Sequence, residues 1–204
     1  MIRLAPALRM LVELLLFRGD PLRHLEGSWA AARRSFLLWP LALPAAIAAT
    51  YISERPFIAY FAVPLDHYAL LRSLGWLSGM QAGFLFAYFV SRLENLQGRF
   101  ALFIESQNWI LLASSLIAFS LNFSTRNTIF LREDVINMAI AQYAIGLIYL
   151  WYATWRALGG NPFYAAGIVV ALIMPPVFCA DVAGVLLYGQ ARPFYDPTIP
   201  PWLP

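Results

Sequence analysis

Two short stretches of this 204-residue chain hold side chains capable of chemistry in otherwise apolar surroundings. The first is Glu105-Ser106-Gln107-Asn108, just ahead of Trp109: a carboxylate, a hydroxyl and two carboxamides in succession. The second is Met174-Pro175-Pro176-Val177-Phe178-Cys179-Ala180-Asp181, which places two prolines, the chain's one cysteine and a carboxylate inside an apolar run of about 25 residues. An ionisable group within hydrocarbon is costly and turns toward a bundle interior, a partner or water. At helical rise Asp181 falls roughly 7–8 Å from the middle of its run, too deep for so short a side chain to reach the surface.

Asp181 is therefore expected either as a protonated acid donating a hydrogen bond or as a carboxylate with a partner drawn from Asn122, Arg126, Arg132 and Asn137. Pro175 and Pro176 donate no backbone hydrogen bond, so the carbonyls of Ala171 and Leu172 lose their i+4 partners, and a break into two half-helices is expected there. One reading makes Asp181 a proton or cation site beside a broken helix, with Gln107 and Asn108 continuing a polar path, as in a small permease or channel component. The other makes it a polar clamp. Glu105-Ser106-Gln107-Asn108 likewise reads either as a solvated helix entry at the membrane interface or as a ligand contact. Cys179 reads as a small core filler, since a reactive thiolate needs a wet, electropositive setting.

A third pattern carries packing. Gly75, Gly79 and Gly83 recur every four residues and line one side of a helix with a stripe free of side chains, against which a neighbouring helix, a partner or a second copy can approach closely.

The elements that must position these groups are membrane elements. Hydrophobic residues make up 61% of the chain and charged residues 12%, against roughly 45–50% and about 25% in soluble domains, so the supply cannot dress a water-facing surface. All 14 basic residues are arginine and the net charge is +3. The arginines stand at the edges of apolar runs, where they anchor spans, rather than clustered with interleaved aromatics as in a nucleic-acid binder, and nucleic acid is discarded. One cysteine excludes an internal disulfide, and His24 and His67 flank the first apolar run on opposite sides, so no metal or cofactor set is expected.

The pattern implies an all-α integral membrane protein, a five-transmembrane-helix bundle with an N-terminal interfacial amphipathic helix. Residues 1–34 form that helix and a polar foot: Arg3, Arg9, Glu13 and Arg18 share one half of the helical circumference, leaving Leu8, Leu11, Val12 and Leu15 on the other, and Gly19-Asp20-Pro21 stops and restarts the chain. The N-terminus is expected to be retained, because Arg9 and Glu13 interrupt the apolar core a signal peptide needs. Spans are placed at about 35–52, where Pro40 and Pro44 should bend the helix, then 73–91, 101–121, 135–155 and 163–188. The apolar patch Phe57–Leu65 is too short to cross, the 159–162 Gly-Gly-Asn-Pro turn is a tight hairpin, and 189–204 is a proline-rich tail.

With the N-terminus inside, the segments on that side carry six, two and one arginine and the opposite segments two, two and one, so nine against five favours this orientation. Six of the nine precede the first span. An odd number of spans argues against a simple inverted repeat.

Leu25 to Phe36, "LEGSWAAARRSF", and Phe100 to Trp109, "FALFIESQNW", each lead into a span. Together with five spans these stretches resemble uncharacterised bacterial inner-membrane proteins distantly similar to the Yip (Ypt-interacting) family, although the Asp-Leu-Tyr-Gly-Pro type motif of eukaryotic Yip proteins is absent. The resemblance implies a non-enzymatic structural or accessory protein of the inner membrane, acting through contacts with lipid, a membrane-protein partner or a second copy; the arginine count and five spans put its N-terminus on the cytoplasmic and its C-terminus on the periplasmic side. It carries over no catalytic, cofactor-binding or metal-binding residue.

Overall fold

The computed structural model describes residues 4–54, 65–93, 95–125 and 132–188. Helices α1 (Leu4–Leu15), α2 (Trp29–Ser35), α3 (Trp39–Glu54), α4 (Leu65–Leu93), α5 (Phe100–Thr125), α6 (Arg132–Leu158) and α7 (Pro162–Tyr188) make up the fold, joined by short 3-10 turns at Pro21–His24, Phe36–Leu38 and Gln97–Arg99. No strand occurs among the described residues. The patch at 57–64, the tail at 189–204, and the side chains of Asn137, Arg126 and Arg132 lie outside what is described.

The long helices run alternately from and toward one end. Trp39 at the start of α3 bonds Asn108 near the start of α5, and further along Asn122 of α5 donates to the Ala49 carbonyl of α3 at 3.0 Å, so these two run parallel. The last turns of α6 reach the first turns of α5 through Thr154 and Gln107. Gly83, ten residues before the end of α4, packs on Leu172, ten residues after the start of α7, an antiparallel pair. The core gathers where α3, α5 and α7 begin and α4 and α6 end: Phe84, Phe100 and Phe103 interlock with ring centroids 5.4–5.9 Å apart, and Met10, Leu22, Leu158 and Ile168 close round them.

Prolines explain the local shape of the first long helical stretch. The Phe36 carbonyl would take its α-helical bond from residue 40, which is proline, and takes it instead from the Trp39 amide, tightening Phe36–Leu38 into a 3-10 turn. Pro40 then stands in the first turn of α3, where no N–H is required. Helix therefore continues from Trp29 to Ile52 and begins six residues ahead of the expected 35. Helix α4 also starts early, at Leu65, so that Asp66, His67 and Arg72 fall within its first turns.

One expectation is met in part and another is corrected. Among the described residues two segments, Trp29–Ile52 and Gln97–Ser124, are apolar and long enough by length and composition to cross a bilayer, and five such spans are not supported. Helix α4 carries charge in its first turns and Gly75, Ser78, Gly79 and Gln81 along its middle, α6 opens on Arg132-Glu133-Asp134 and ends in Trp and Tyr, and the apolar stretch of α7 at Pro162–Pro175 is shorter. The break at Pro175-Pro176 is not seen either: α7 runs as one helix from Pro162 to Tyr188. Proline's φ is helical, so only the missing donors matter. A Cβ on Gly83 would fall 2.9 Å from the Leu172 Cα and 3.2 Å from the Ala171 oxygen, so α4 comes close to one of the two carbonyls deprived of an amide. Neighbouring helices commonly compensate such freed groups.

Candidate functional site

The polar cluster Glu105-Ser106-Gln107-Asn108 is where the chain ties its foot to the bundle. Three loops meet there. Helix α1 ends in a Schellman turn, with Phe17 N on the Leu14 carbonyl at 3.1 Å and Arg18 N on the Glu13 carbonyl at 2.9 Å, and stops before the Gly19-Asp20-Pro21 sequence expected to end it. Phe17 takes the left-handed φ of +50°, uncommon outside glycine, and its ring stacks on Tyr149 and meets Tyr152, both at 5.0 Å. From the last turn of α6 Arg156 donates to the Gly19 carbonyl at 2.9 Å and stands 3.5 Å from Asp20, while Arg99, from the α4–α5 connection, donates to the Arg156 carbonyl at 3.1 Å. Gly159 and Gly160 make the hairpin at φ +75° and +77°. The polar segments assigned to one side from sequence thus converge at one end of the bundle.

Within this frame the cluster is buried, with Glu105 7%, Gln107 1% and both Ser106 and Asn108 0% exposed, which overturns the expectation of interfacial solvation. Helix α2 and the loop before it cover it. Gly27 adopts φ +63°, which turns its amide onto Glu105 Oε2 at 2.9 Å. Glu26 receives Arg34 at 2.7 Å. Ser28 caps α2 by accepting from the Ala31 amide. Asn108 is used at both ends: its Nδ2 donates to Ser35 Oγ at 2.8 Å and its Oδ1 accepts from the Trp39 indole at 2.8 Å. Gln107 turns the other way and donates to Thr154 of α6 at 3.2 Å, leaving its Oε1 buried without a partner. Ser106 bonds back to the Phe103 carbonyl.

Asp181 is not brought to this cluster. Helices α5 and α7 both start at the foot; Gln107 is seven residues along one and Asp181 nineteen along the other, so their levels differ by about 18 Å at 1.5 Å per residue. The side chain of Asp181 lies outside what is described, and Asn122, one partner considered for it, donates to the Ala49 carbonyl of α3. Pro175 and Pro176 stand on an unbroken helix. Gly75, Gly79 and Gly83 are all buried, and Gly83 meets α7.

Sequence reasoning missed Gly27, Ser35, Trp39 and Thr154 as partners of the cluster. A signal was present: a helix that begins with four polar residues and continues into an apolar run has hydrogen bonds to place, and the polar stretch 25–36 holds the complementary groups.

Helix α1 shows three faces. Ala7, Met10 and Leu14 are buried against the bundle; Leu4, Leu8, Val12 and Leu15 are exposed. Arg9 and Glu13 form the third. Glu13 Oε1 lies 3.0 Å from His24 Nε2 and 2.9 Å from Arg23 Nη2, and these contacts, His24 first, hold its carboxyl below the usual range against the opposing effect of desolvation.

Comparison with protein-family models, with curated proteins and with solved structures returned no match. The functional reading rests on the geometry.

Proposed function

We propose that the chain is a non-enzymatic accessory protein of a membrane, a bundle in which α3 to α7 all cross the bilayer with the foot on the cytoplasmic side, and that it acts through contacts with another membrane protein, lipid or a second copy. One observation carries this. The polar side chains of the 105–108 cluster fasten the foot: Glu105 on Gly27, Asn108 on Ser35 and Trp39, Gln107 on Thr154.

Three further features support the crossing. Helices α4, α6 and α7 have 29, 27 and 27 residues, about 40 Å at helical rise against a hydrocarbon core of about 30 Å. Stretches 73–91, 135–155 and 162–180 carry no Asp, Glu, Lys or Arg. Large apolar side chains face outward on them, among them Leu85, Phe86 and Phe89 of α4, Ile140, Ile145 and Ile148 of α6, and Val170 and Met174 of α7.

The orientation follows the arginines. Arg9, Arg18, Arg23, Arg33, Arg34, Arg92, Arg99 and Arg156 belong to the foot end, the surplus that cytoplasmic loops carry. A resemblance to five-span inner-membrane proteins of the Yip type agrees with this reading.

Purification of the tagged protein from its native membrane in a mild detergent, with mass spectrometry and native sizing, tests the proposal. A stoichiometric membrane-protein partner, a homo-oligomer or firmly retained lipid is the expected result. A bare monomer without retained lipid, whose proteoliposomes conduct or transport an ion in an Asp181-dependent way, would replace this reading with the permease one.

A further inference from the structure

The foot carries an open cavity of about 260 Å³ lined by Arg23, His24, Glu26, Arg34, Glu105 and Trp109. Its position is set by the helices. Arg34 belongs to the opening turns of the Trp29–Ile52 segment, and Glu105 and Trp109 to the early turns of Gln97–Ser124, so the cavity lies where both apolar segments begin. At that level a bilayer presents headgroups. The volume falls below the roughly 300–1,000 Å³ of sites that hold whole drug-sized molecules, which suits a small polar group and leaves no room for acyl chains.

The charges narrow the ligand. A bare phosphate would meet two carboxylates and a bare cation two guanidinium groups. A zwitterion with its charges a few ångströms apart satisfies both. Arg23 is 61% exposed, and the Arg34–Glu26 pair is 38% and 33% exposed, so these ion pairs are of the weak, exchangeable kind and their guanidinium groups can be given up to a phosphate. Glu105 is fixed by the Gly27 amide at 2.9 Å, beside the Trp109 ring that also lines the cavity. A carboxylate and an aromatic residue lining the same cavity suit an ammonium.

We propose that the foot cavity receives the headgroup of an amine-bearing phospholipid, its phosphate held by Arg23 and Arg34 and its primary ammonium by Glu105 and Trp109. This rests on the reading of the long helices as membrane spans.

The full chain, purified in mild detergent, is titrated with short-chain phosphatidylethanolamine, phosphatidylcholine and free phosphoethanolamine, and bound ligand is read by native mass spectrometry. Phosphatidylethanolamine binds about tenfold more tightly than phosphatidylcholine, because a primary ammonium donates charge-assisted hydrogen bonds that a trimethylammonium cannot. Glu105→Gln, which keeps an acceptor for the Gly27 amide, brings the two lipids within about twofold of one another. Arg23→Gln combined with Arg34→Gln, both at exposed positions, weakens the two lipids alike. Equal binding of the two lipids by the unmodified chain, or an unchanged preference in Glu105→Gln, overturns the proposal. Free phosphoethanolamine binding as tightly as the lipid overturns it in favour of a soluble ligand. Alkaline carbonate extraction of native membranes separates the two levels: release of the protein sinks the membrane reading itself, whereas a retained protein with no headgroup preference sinks this inference alone.

Discussion

Replacing Gly83 by alanine tests the close contact between α4 and α7. The added Cβ would sit 2.9 Å from both Cα and Cδ2 of Leu172 and 3.2 Å from the Ala171 oxygen. Carbon atoms prefer separations of about 3.5–4.0 Å, so the shortfall against Leu172 is roughly 0.6–1.1 Å, and because one of its atoms is backbone, no rotamer change relieves it. Overpacking of this kind costs about 1–3 kcal/mol, and alanine returns about 1 kcal/mol in helix propensity. Gly146→Ala on α6 and Gly167→Ala on α7 gain the same propensity into open space, since nothing lies within 4 Å of either position. The propensity gain cancels in the comparison, leaving Gly83→Ala less stable than either control by about 1–3 kcal/mol. Thermal unfolding in one detergent, followed by tryptophan fluorescence, reads the order of the three variants. Gly83→Ala as stable as Gly146→Ala would show that α4 and α7 do not meet at Leu172.

Other outcomes follow from the foot. Asn108→Leu orphans the Trp39 indole N–H and loses about 1–3 kcal/mol, whereas Gln107→Leu gives up its bond to Thr154 but also removes an oxygen that already lacks a partner, and so loses less; the same unfolding assay separates them. The Glu13 carboxyl is depressed in the folded protein, so the stability it contributes is present above its unfolded value of about 4.3 and is lost as pH falls through the lower folded value. Protection of the α1 amides, taken as the ratio of intrinsic to observed exchange rate at each pH, should therefore fall in acid, and Glu13→Gln should remove that dependence; unchanged protection down to pH 3 would contradict the His24 and Arg23 contacts. Spin labels placed singly along α1 in reconstituted protein, with Cys179→Ala as background, should respond to oxygen at Leu8 and Val12 and to a water-soluble nickel complex at Arg9, and a uniform response round the helix would remove the interfacial placement.

The segments expected to be helical from their apolar runs are helical, and the arginine-flanked loops grouped on one side do meet at one end. Those features were legible because length, apolarity and turn residues act locally. What sequence left out is mutual. The stretches 25–36 and 100–109 were read as separate span entries, yet Gly27 bonds Glu105, Ser35 bonds Asn108, and the rings of Trp29 and Phe100 lie 6.1 Å apart. No local rule states that one polar stretch is the other's partner. The Pro175-Pro176 step shows the same limit, because counting lost donors on one helix predicts a break, while the close approach of Gly83 supplies a contact to Ala171 from another helix. Solvation of Glu105-Ser106-Gln107-Asn108 was the natural expectation for polar residues at a helix start, and α2 folding over them reversed it.

The central claim is that one end of this bundle, built from three loops, faces one side of a membrane while the helices cross it. Single cysteines at Gly19, Gly98 and Gly160, and at Glu54 and Thr125 toward the other end, in a Cys179→Ala background, are treated in intact cells with a membrane-impermeant maleimide. The account predicts that the first three stay unlabelled until the membrane is opened while Glu54 and Thr125 react from outside. Labelling that divides Gly19, Gly98 and Gly160 between the two sides would contradict it.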